Sequence, residues 1–369
     1  MRKGWEYKKL GEVCDITMGQ SPNGNSINEA NGVEFHQGKT CFGERFLGVS
    51  PLYSNAPTKL AEAHSVLLCV RAPVGYPNIT DRKICIGRGL CALYAKGEID
   101  NTFLYYSLLG KQSYFEKNAT GSTFKAISSK IVSNTTLSIP PLSTQLAIVS
   151  ELDKINELIR LKKEQLKDFD NLAQSLFYEM FGDPVENEKG WEVKKIKDIA
   201  KYYNGVAHEQ DVDKDGNFVL INAKFISSEG QIKKYTSIQR FPLLKNDIVM
   251  VLSDLPNGKS LAKCFLIDED NKYTLNQRIC CFRGFEGSSV YLKNIINRNP
   301  YLLSFDNGKG QTNLRKGDVE KIPIPLPPLS LQRLFAQRIE QIEREKSEVQ
   351  KSIQDLETLL ASRMQYWFE

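Results

Sequence analysis

Gly4-Trp5-Glu6-Tyr7-Lys8-Lys9-Leu10 recurs as Gly190-Trp191-Glu192-Val193-Lys194-Lys195-Ile196, 186 positions later. Pro140-Pro141-Leu142-Ser143-x-Gln145 recurs as Pro327-Pro328-Leu329-Ser330-x-Gln332, at an offset of 187. Gly121-x-Thr123 recurs as Gly310-x-Thr312 shortly before each proline pair. Ordered matches at near-constant spacing mean duplication of one unit of about 187 residues, which accounts for the whole 369-residue chain. Any fold proposed for it must be built twice, and the length alone exceeds one ordinary domain.

Each unit has two parts. The first is about 140 residues of short β-type runs broken by Gly, Pro and Asn. These runs are residues 65–70, 84–86, 218–221, 248–252, 264–267 and 279–282, with helical stretches over 103–109 and 290–296. The second part follows the Pro-Pro-Leu-Ser element, where Ser143 or Ser330 is expected as helix N-cap. It is a long helix. In the first copy Ile148, Leu152, Ile155, Ile159, Lys162, Leu166, Phe169, Ala173, Leu176 and Met180 alternate in steps of four and three. In the second copy Phe335, Ile339, Ile342, Lys346, Val349, Ile353, Leu356, Leu360, Arg363 and Trp367 do the same. A 3.5-residue repeat sustained this far is a coiled-coil seam.

The expected division is therefore residues 1–143 (globule), 144–181 (helix), 182–330 (globule) and 331–369 (helix). The fold class is α+β: two tandem mixed α/β domains with two long helices paired antiparallel, related by a pseudo-two-fold repeat. The expected register sets Ile148 against Trp367, Met180 against Phe335, Lys162 against Ile353 and Lys346 against Phe169. Polar seam residues cost stability and fix register. At 1.5 Å per residue the first helix is roughly 57 Å long.

Composition excludes several classes. Hydrophobic residues are 41% and charged residues 25%, an ordinary globular balance without fibrous repeats. No run approaches a membrane span, and Met1-Arg2-Lys3-Gly4-Trp5-Glu6 lacks the apolar core of a secretory signal. Eight cysteines lie in apolar runs without a framework spacing, which points to reduced core thiols and a cytoplasmic setting. His36, His64 and His208 have no metal-type spacing to one another or to cysteine, so no metal is expected. The net charge of +5 is distributed as +5 over residues 1–143, −2 over 144–181, +3 over 182–330 and −1 over 331–369. Two basic blocks alternate with two slightly acidic segments, which suits two nucleic-acid-binding blocks.

Motifs of self-contained catalysis are incomplete. Asn257-Gly258-Lys259-Ser260 lacks the upstream glycine of a phosphate loop, since position 253 is Ser. Asn299-Pro300-Tyr301 lacks the second proline of the adenine-methyltransferase motif Asn-Pro-Pro-Tyr and reads as a helix end. Glu343-Arg344-Glu345-Lys346 reads as a solvated helix face rather than nuclease carboxylates. No Ser/His/Asp or Cys/His arrangement stands out.

The first globule carries Gly19-Gln20-Ser21-Pro22, Gln37-Gly38-Lys39, Val70-Arg71-Ala72-Pro73-Val74-Gly75, Ile86-Gly87-Arg88-Gly89-Leu90 and Gly121-Ser122-Thr123-Phe124-Lys125. The second carries Lys245-Asn246-Asp247-Ile248, Leu275-Asn276-Gln277-Arg278 and Gly310-Gln311-Thr312-Asn313-Leu314. Together with the Ile-Pro-Pro-Leu and Pro-Leu-Pro-Pro-Leu elements ahead of Gln-containing helices, the set resembles the DNA specificity (S) subunits of type I restriction-modification systems. The resemblance covers the whole chain, and the second globule is the looser match. It implies two target-recognition domains, each reading one half of a bipartite double-stranded DNA site. It implies helices that act as a ruler and dock two methyltransferase (M) subunits, with restriction (R) subunits joining them. The chain is then not itself an enzyme and carries no cofactor. S-adenosylmethionine, ATP and Mg belong to the partners, which flip and methylate the target adenine.

Lys and Arg in glycine-rich loops approach phosphates, and Arg, Asn or Gln read base edges. The DNA-binding candidates in the first globule are Gln37, Lys39, Arg45, Arg71, Arg88, Ser122, Thr123 and Lys125. Those in the second are Asn222, Lys224, Lys259, Asn276, Arg278, Thr312, Asn313 and Arg315. The plain alternative for each is a solvated loop or a structural ion pair. Glu151, Lys154, Glu157, Lys163, Glu340 and Glu348 are the outward helix positions expected to face partners. Two other classes stay open at this point: a self-contained nuclease or methyltransferase, which needs a motif not found here, and a coiled-coil scaffold with no DNA role.

Overall fold

The structure is a computed structural model describing residues 4–121, 125–208, 210–255 and 258–368. Its chain folds into two compact units. Unit 1 is residues 1–164 with 350–369, and unit 2 is residues 165–349. The two long helices, Leu142–Phe181 and Leu329–Phe368, each contribute a part to both units.

Unit 1 opens and closes on one strand pair, Glu6–Lys9 antiparallel to Thr136–Ile139 with Glu6 opposite Ile139. A four-stranded antiparallel sheet follows, in the order Cys14–Met18, Leu90–Ala95, Val66–Cys69, Pro77–Ile79. Unit 2 repeats both features. Glu192–Lys195 pairs Pro323–Leu326, and the sheet order is Lys201–Asn204, Ile279–Arg283, Ile248–Val251, Cys264–Leu266. The Gly-Trp-Glu repeat thus marks the strand that ties the start of each copy to its end. Each copy also holds a parallel strand pair, Val33–His36 with Ile84–Ile86 and Phe218–Ile221 with Tyr273–Leu275. The central strands Val66–Cys69 and Ile248–Val251 are buried at every position, which is why both read as unbroken apolar runs.

The long helices begin at Leu142 and Leu329, so Ser143 and Ser330 lie inside the first turn and are not N-caps. Pro141 and Pro328 take that place: their carbonyls accept the amides of Gln145 and Gln332 at 3.1 Å. A proline there has no amide to leave unpaired. Gln145 then explains its own motif. Its Nε2 donates to the carbonyls of Pro140 and Glu98, both at 3.0 Å, while its Oε1 accepts the Asp100 amide at 3.0 Å. Gln332 does the same with Pro327 and Ser288. Asp100 and Ser288 in turn cap Asn101–Leu109 and Ser289–Ile296. Asn299, expected at a helix end, instead starts one: its Oδ1 accepts the Tyr301 amide, with Pro300 in the first turn.

The helices run antiparallel in each unit. In unit 1 Glu151 meets Arg363 and Lys163 meets Glu357. In unit 2 Asp170 meets Lys346, and Phe335 packs edge-on against Phe177 and Phe181. As one number rises the other falls, within about one turn of the expected register. None of the twenty alternating seam positions is exposed. Ile148, Leu152, Ile155, Ile159, Leu176, Met180, Phe335, Ile339, Ile342, Val349 and Ile353 are buried, and Leu166, Phe169, Leu356, Leu360 and Trp367 are half-buried. Glu151, expected on the outer face, lies instead against Arg363 and Trp367, because one seam position is an arginine that needs a counter-charge.

Each unit's Gly-Trp-Glu tryptophan docks on the end of a long helix. Trp5 stacks on Trp367 with centroids 6.3 Å apart, and Trp191 Nε1 donates to the Phe181 carbonyl at 2.9 Å. Among the described residues no helix is long and apolar enough to cross a membrane.

Candidate nucleic-acid interface

The site is a loop cluster at the carboxyl ends of each parallel strand pair, and it is built twice. In unit 1 the strand ending at His36 runs on into Gln37-Gly38-Lys39, and the strand ending at Ile86 into Gly87-Arg88-Gly89. The Gly87 amide donates to the His36 carbonyl at 2.7 Å and the Gly89 amide to that of Gln37 at 3.1 Å. Any Cβ at Gly89 would lie 2.2 Å from the Gln37 carbonyl oxygen, so only glycine permits this approach. The Gly89 carbonyl accepts the Val70 amide, and the Val70 carbonyl accepts the amide of Ile127, which brings Arg71 and Lys125 to the same edge.

Unit 2 repeats the bonding with different side chains. The Asn276 amide donates to the Ile221 carbonyl, the Leu252 amide to that of Arg278, and the Leu314 amide to that of Leu252. Matching these bonds pairs Gln37 with Asn222, Lys39 with Lys224, Arg71 with Ser253, Arg88 with Gln277, Gly89 with Arg278, and Lys125 with Thr312. In unit 2 the edge is an open cleft of about 540 Å³ lined by residues that include Asn222, Lys224, Lys234, Gln277, Arg278 and Gln311.

Among the described residues, no carboxylate forms an ion pair with Lys39, Arg71, Arg88, Lys125, Lys224, Lys234, Lys259, Arg278 or Arg315. All nine are exposed. Lys39 Nζ lies 3.5 Å from the Tyr76 ring centroid, and Gln37 is exposed beside it. Arg278 takes a left-handed backbone, φ 66°, at the cleft wall.

Other candidates are engaged inside their units. Arg45 pairs with Asp153, which also accepts the Tyr106 hydroxyl at 2.6 Å. Asn222 caps a short helix through the Phe225 amide. The buried Asn276 accepts the His208 and Gln277 amides at 3.2 and 2.9 Å and so holds the loop. Thr312 donates to Asp306, while Asn313 is exposed. Ser122 and Thr123 lie outside the described residues, as does Asn257 of the phosphate-loop-like stretch. Reading the sequence missed Gln277, Lys234 and Gln311. Setting Ile86-Gly87-Arg88-Gly89-Leu90 against Leu275-Asn276-Gln277-Arg278-Ile279 was the available signal for the first.

Electrostatics stiffen the base of the unit 1 cluster. Glu34 accepts Arg82 Nε and Nη2 at 2.6 and 2.7 Å, the Ser50 amide at 2.7 Å and His36 Nε2 at 2.8 Å. Burial opposes its ionisation, but these hydrogen bonds outweigh burial and bring the carboxyl down to about 2. Burial pushes the His36 imidazole below its ordinary value, against the pull of Glu34. Among the described residues, no group of three or more His, Cys, Asp or Glu side chains is placed to hold a metal ion.

A family model described as type I restriction modification DNA specificity domain matches residues 2–168 and, a second time, residues 188–358. The chain belongs to this family. The two matches to the specificity-domain model cover the two copies seen in the sequence and in the sheet orders. A Methanocaldococcus jannaschii protein named as the type I restriction enzyme MjaX specificity subunit is 38% identical over 47% of this chain and 41% of its own length. The MjaIX specificity subunit of that organism is 26% identical over 55% of this chain and 53% of its own. The chain thus spans about half the length of these relatives. Two solved structures share the specificity-subunit fold. The S subunit from M. genitalium superposes with a TM-score of 0.55 at 15% identity, covering 99% of this chain and 96% of that one. A chain solved in work on complex assembly and conformational transition of the type I R-M system gives 0.67 at 17%, covering 100% and 98%.

Proposed function

We propose that this chain is the DNA-recognition subunit of a type I restriction-modification assembly, reading an asymmetric bipartite site with one half assigned to each unit. The observation that carries the reading is the repeated loop cluster. One backbone scaffold presents exposed, unpaired cations in both units, with different side chains at matched positions. Cations free of internal carboxylates serve phosphates, and a change of side chain on a fixed scaffold changes the bases read. Domains at residues 1–143 and 182–330 do the reading, and the helices 144–181 and 331–369 set the spacing.

The chain itself is not a catalyst in this reading. Two methyltransferase subunits, and restriction subunits with them, carry the chemistry along with S-adenosylmethionine, ATP and Mg. Exposed leucines at matched helix positions, Leu142 with Leu329 and Leu172 with Leu359, support two equivalent docking surfaces beside the exposed Lys154, Glu157, Glu340 and Glu348.

The test is co-expression with a type I methyltransferase subunit, followed by mapping of methylated adenines. One asymmetric motif with an unread centre, lost when the chain is omitted, is expected. A stable complex that methylates no defined motif overturns the reading.

A further inference from the structure

Resting on that reading, we propose that Arg88 and Gln277 are the matched specificity positions of the two units, Arg88 selecting guanine and Gln277 adenine. The matched positions sort by chemistry. Lys39 and Lys224 are the same residue in both units, as expected of a contact to the invariant phosphate backbone. Asn222 spends its carboxamide oxygen on a helix cap, and the Thr312 hydroxyl is taken by Asp306. Arg71 is matched by Ser253 in the other copy, and Gly89, with no side chain, is matched by Arg278. Only at Arg88 and Gln277 do both units present a long planar side chain, exposed and with no internal hydrogen bond among the described residues.

The backbone beneath each is fixed. Gly87 and Gly89 pack Arg88's loop onto Gln37, and the buried Asn276 carboxamide accepts the Gln277 amide at 2.9 Å. A fixed Cα with a free planar head is the arrangement for two-point reading of a base edge. A guanidinium donates twice, which matches O6 and N7 of guanine. A carboxamide donates and accepts, which matches N7 and N6 of adenine. The chain would then read two different purines from one structural position used twice.

The experiment is selection from randomised duplexes by the full chain assembled with its methyltransferase subunit. Wild type, Arg88→Gln, Arg88→Ala and Gln277→Arg are compared. Arg88→Gln is expected to turn one G·C position into A·T in one half-site, with preference shifted roughly ten-fold or more. Gln277→Arg is expected to make the reverse change in the other half, and Arg88→Ala to relax that one position. A wild-type motif left unchanged by all three variants, or weakened evenly at every position, overturns this assignment alone. A wild-type assembly that selects no sequence overturns the DNA-reading proposal beneath it.

Discussion

Arg363, one turn from the end of the second long helix, donates from Nη2 to Oε2 of Glu151 at 2.9 Å across 212 intervening steps of chain. Its Nε engages the other carboxylate oxygen, and Trp367 Nε1 donates to Oε2 at 3.0 Å. The guanidinium also lies over the Tyr366 and Trp367 rings. This pair holds the antiparallel register in unit 1. Arg363's hydrogen bonds keep the Glu151 carboxyl below the usual carboxylate range. Glu151→Ala and Arg363→Ala should each lower the melting temperature, and the double variant should fall by clearly less than their sum. Strict additivity in thermal melts would show that the pair contributes no coupling.

Gln145 gives a sharper stability test, because it is 1% exposed and satisfies three backbone groups at once. Gln145→Leu keeps much of the volume and strands an amide and two carbonyls. A loss of about 1–3 kcal/mol is expected from urea unfolding, with Gln332→Leu behaving alike in unit 2. A loss below about 0.5 kcal/mol would mean the carboxamide is replaceable.

Much of this architecture is legible in residue order, and the reason differs by element. The seam is readable because a 3.5-residue period admits one geometry, and the duplication because both copies keep their Trp and Gln anchors. Pro141 is hard to read as the cap because serine is the usual cap chemistry, whereas here the Pro141 carbonyl accepts the Gln145 amide. The candidate site is less legible. Arg45 and Arg88 look alike as letters, yet Arg45 is held by Asp153, 108 positions away, a long-range contact that local pattern does not encode. Gln277 is uncharged and sits in a copy whose glycines have become Asn276 and Arg278, so its match to Arg88 is faint in the sequence and becomes plain in the backbone hydrogen bonds.

Acid should loosen unit 1 through two groups acting in one direction. Glu34 has a depressed value, about 2 against 4.5, so its contribution is complete above 4.5 and is lost as pH falls through about 2. His36 lies below 6.5 through burial, so its neutral form favours the fold and its contribution shrinks as pH drops below 6.5. Thermal melts between about pH 5 and pH 3 should fall more steeply for wild type than for Glu34→Gln. Equal slopes would remove Glu34 from the account.

Cysteine chemistry offers a check on burial. Seven of the eight thiols are buried and Cys41 is partly exposed. Burial pushes Cys14 and Cys69 up to about 12, far from thiolate at neutral pH. An alkylating reagent under native conditions should label Cys41 alone, with the other seven appearing only after denaturation. Fast labelling of Cys69 or Cys281 would show that a core sheet is open.

The most direct test of two-domain reading removes exposed cations of the loop cluster one unit at a time. Lys39→Ala with Arg88→Ala, and separately Lys224→Ala with Arg278→Ala, are assembled with the methyltransferase subunit, and methylated adenines are mapped for each. Each pair should degrade one contiguous half of the motif and leave the other half intact. Loss spread evenly over both halves, or no change from either pair, would contradict the assignment of one half-site to each unit.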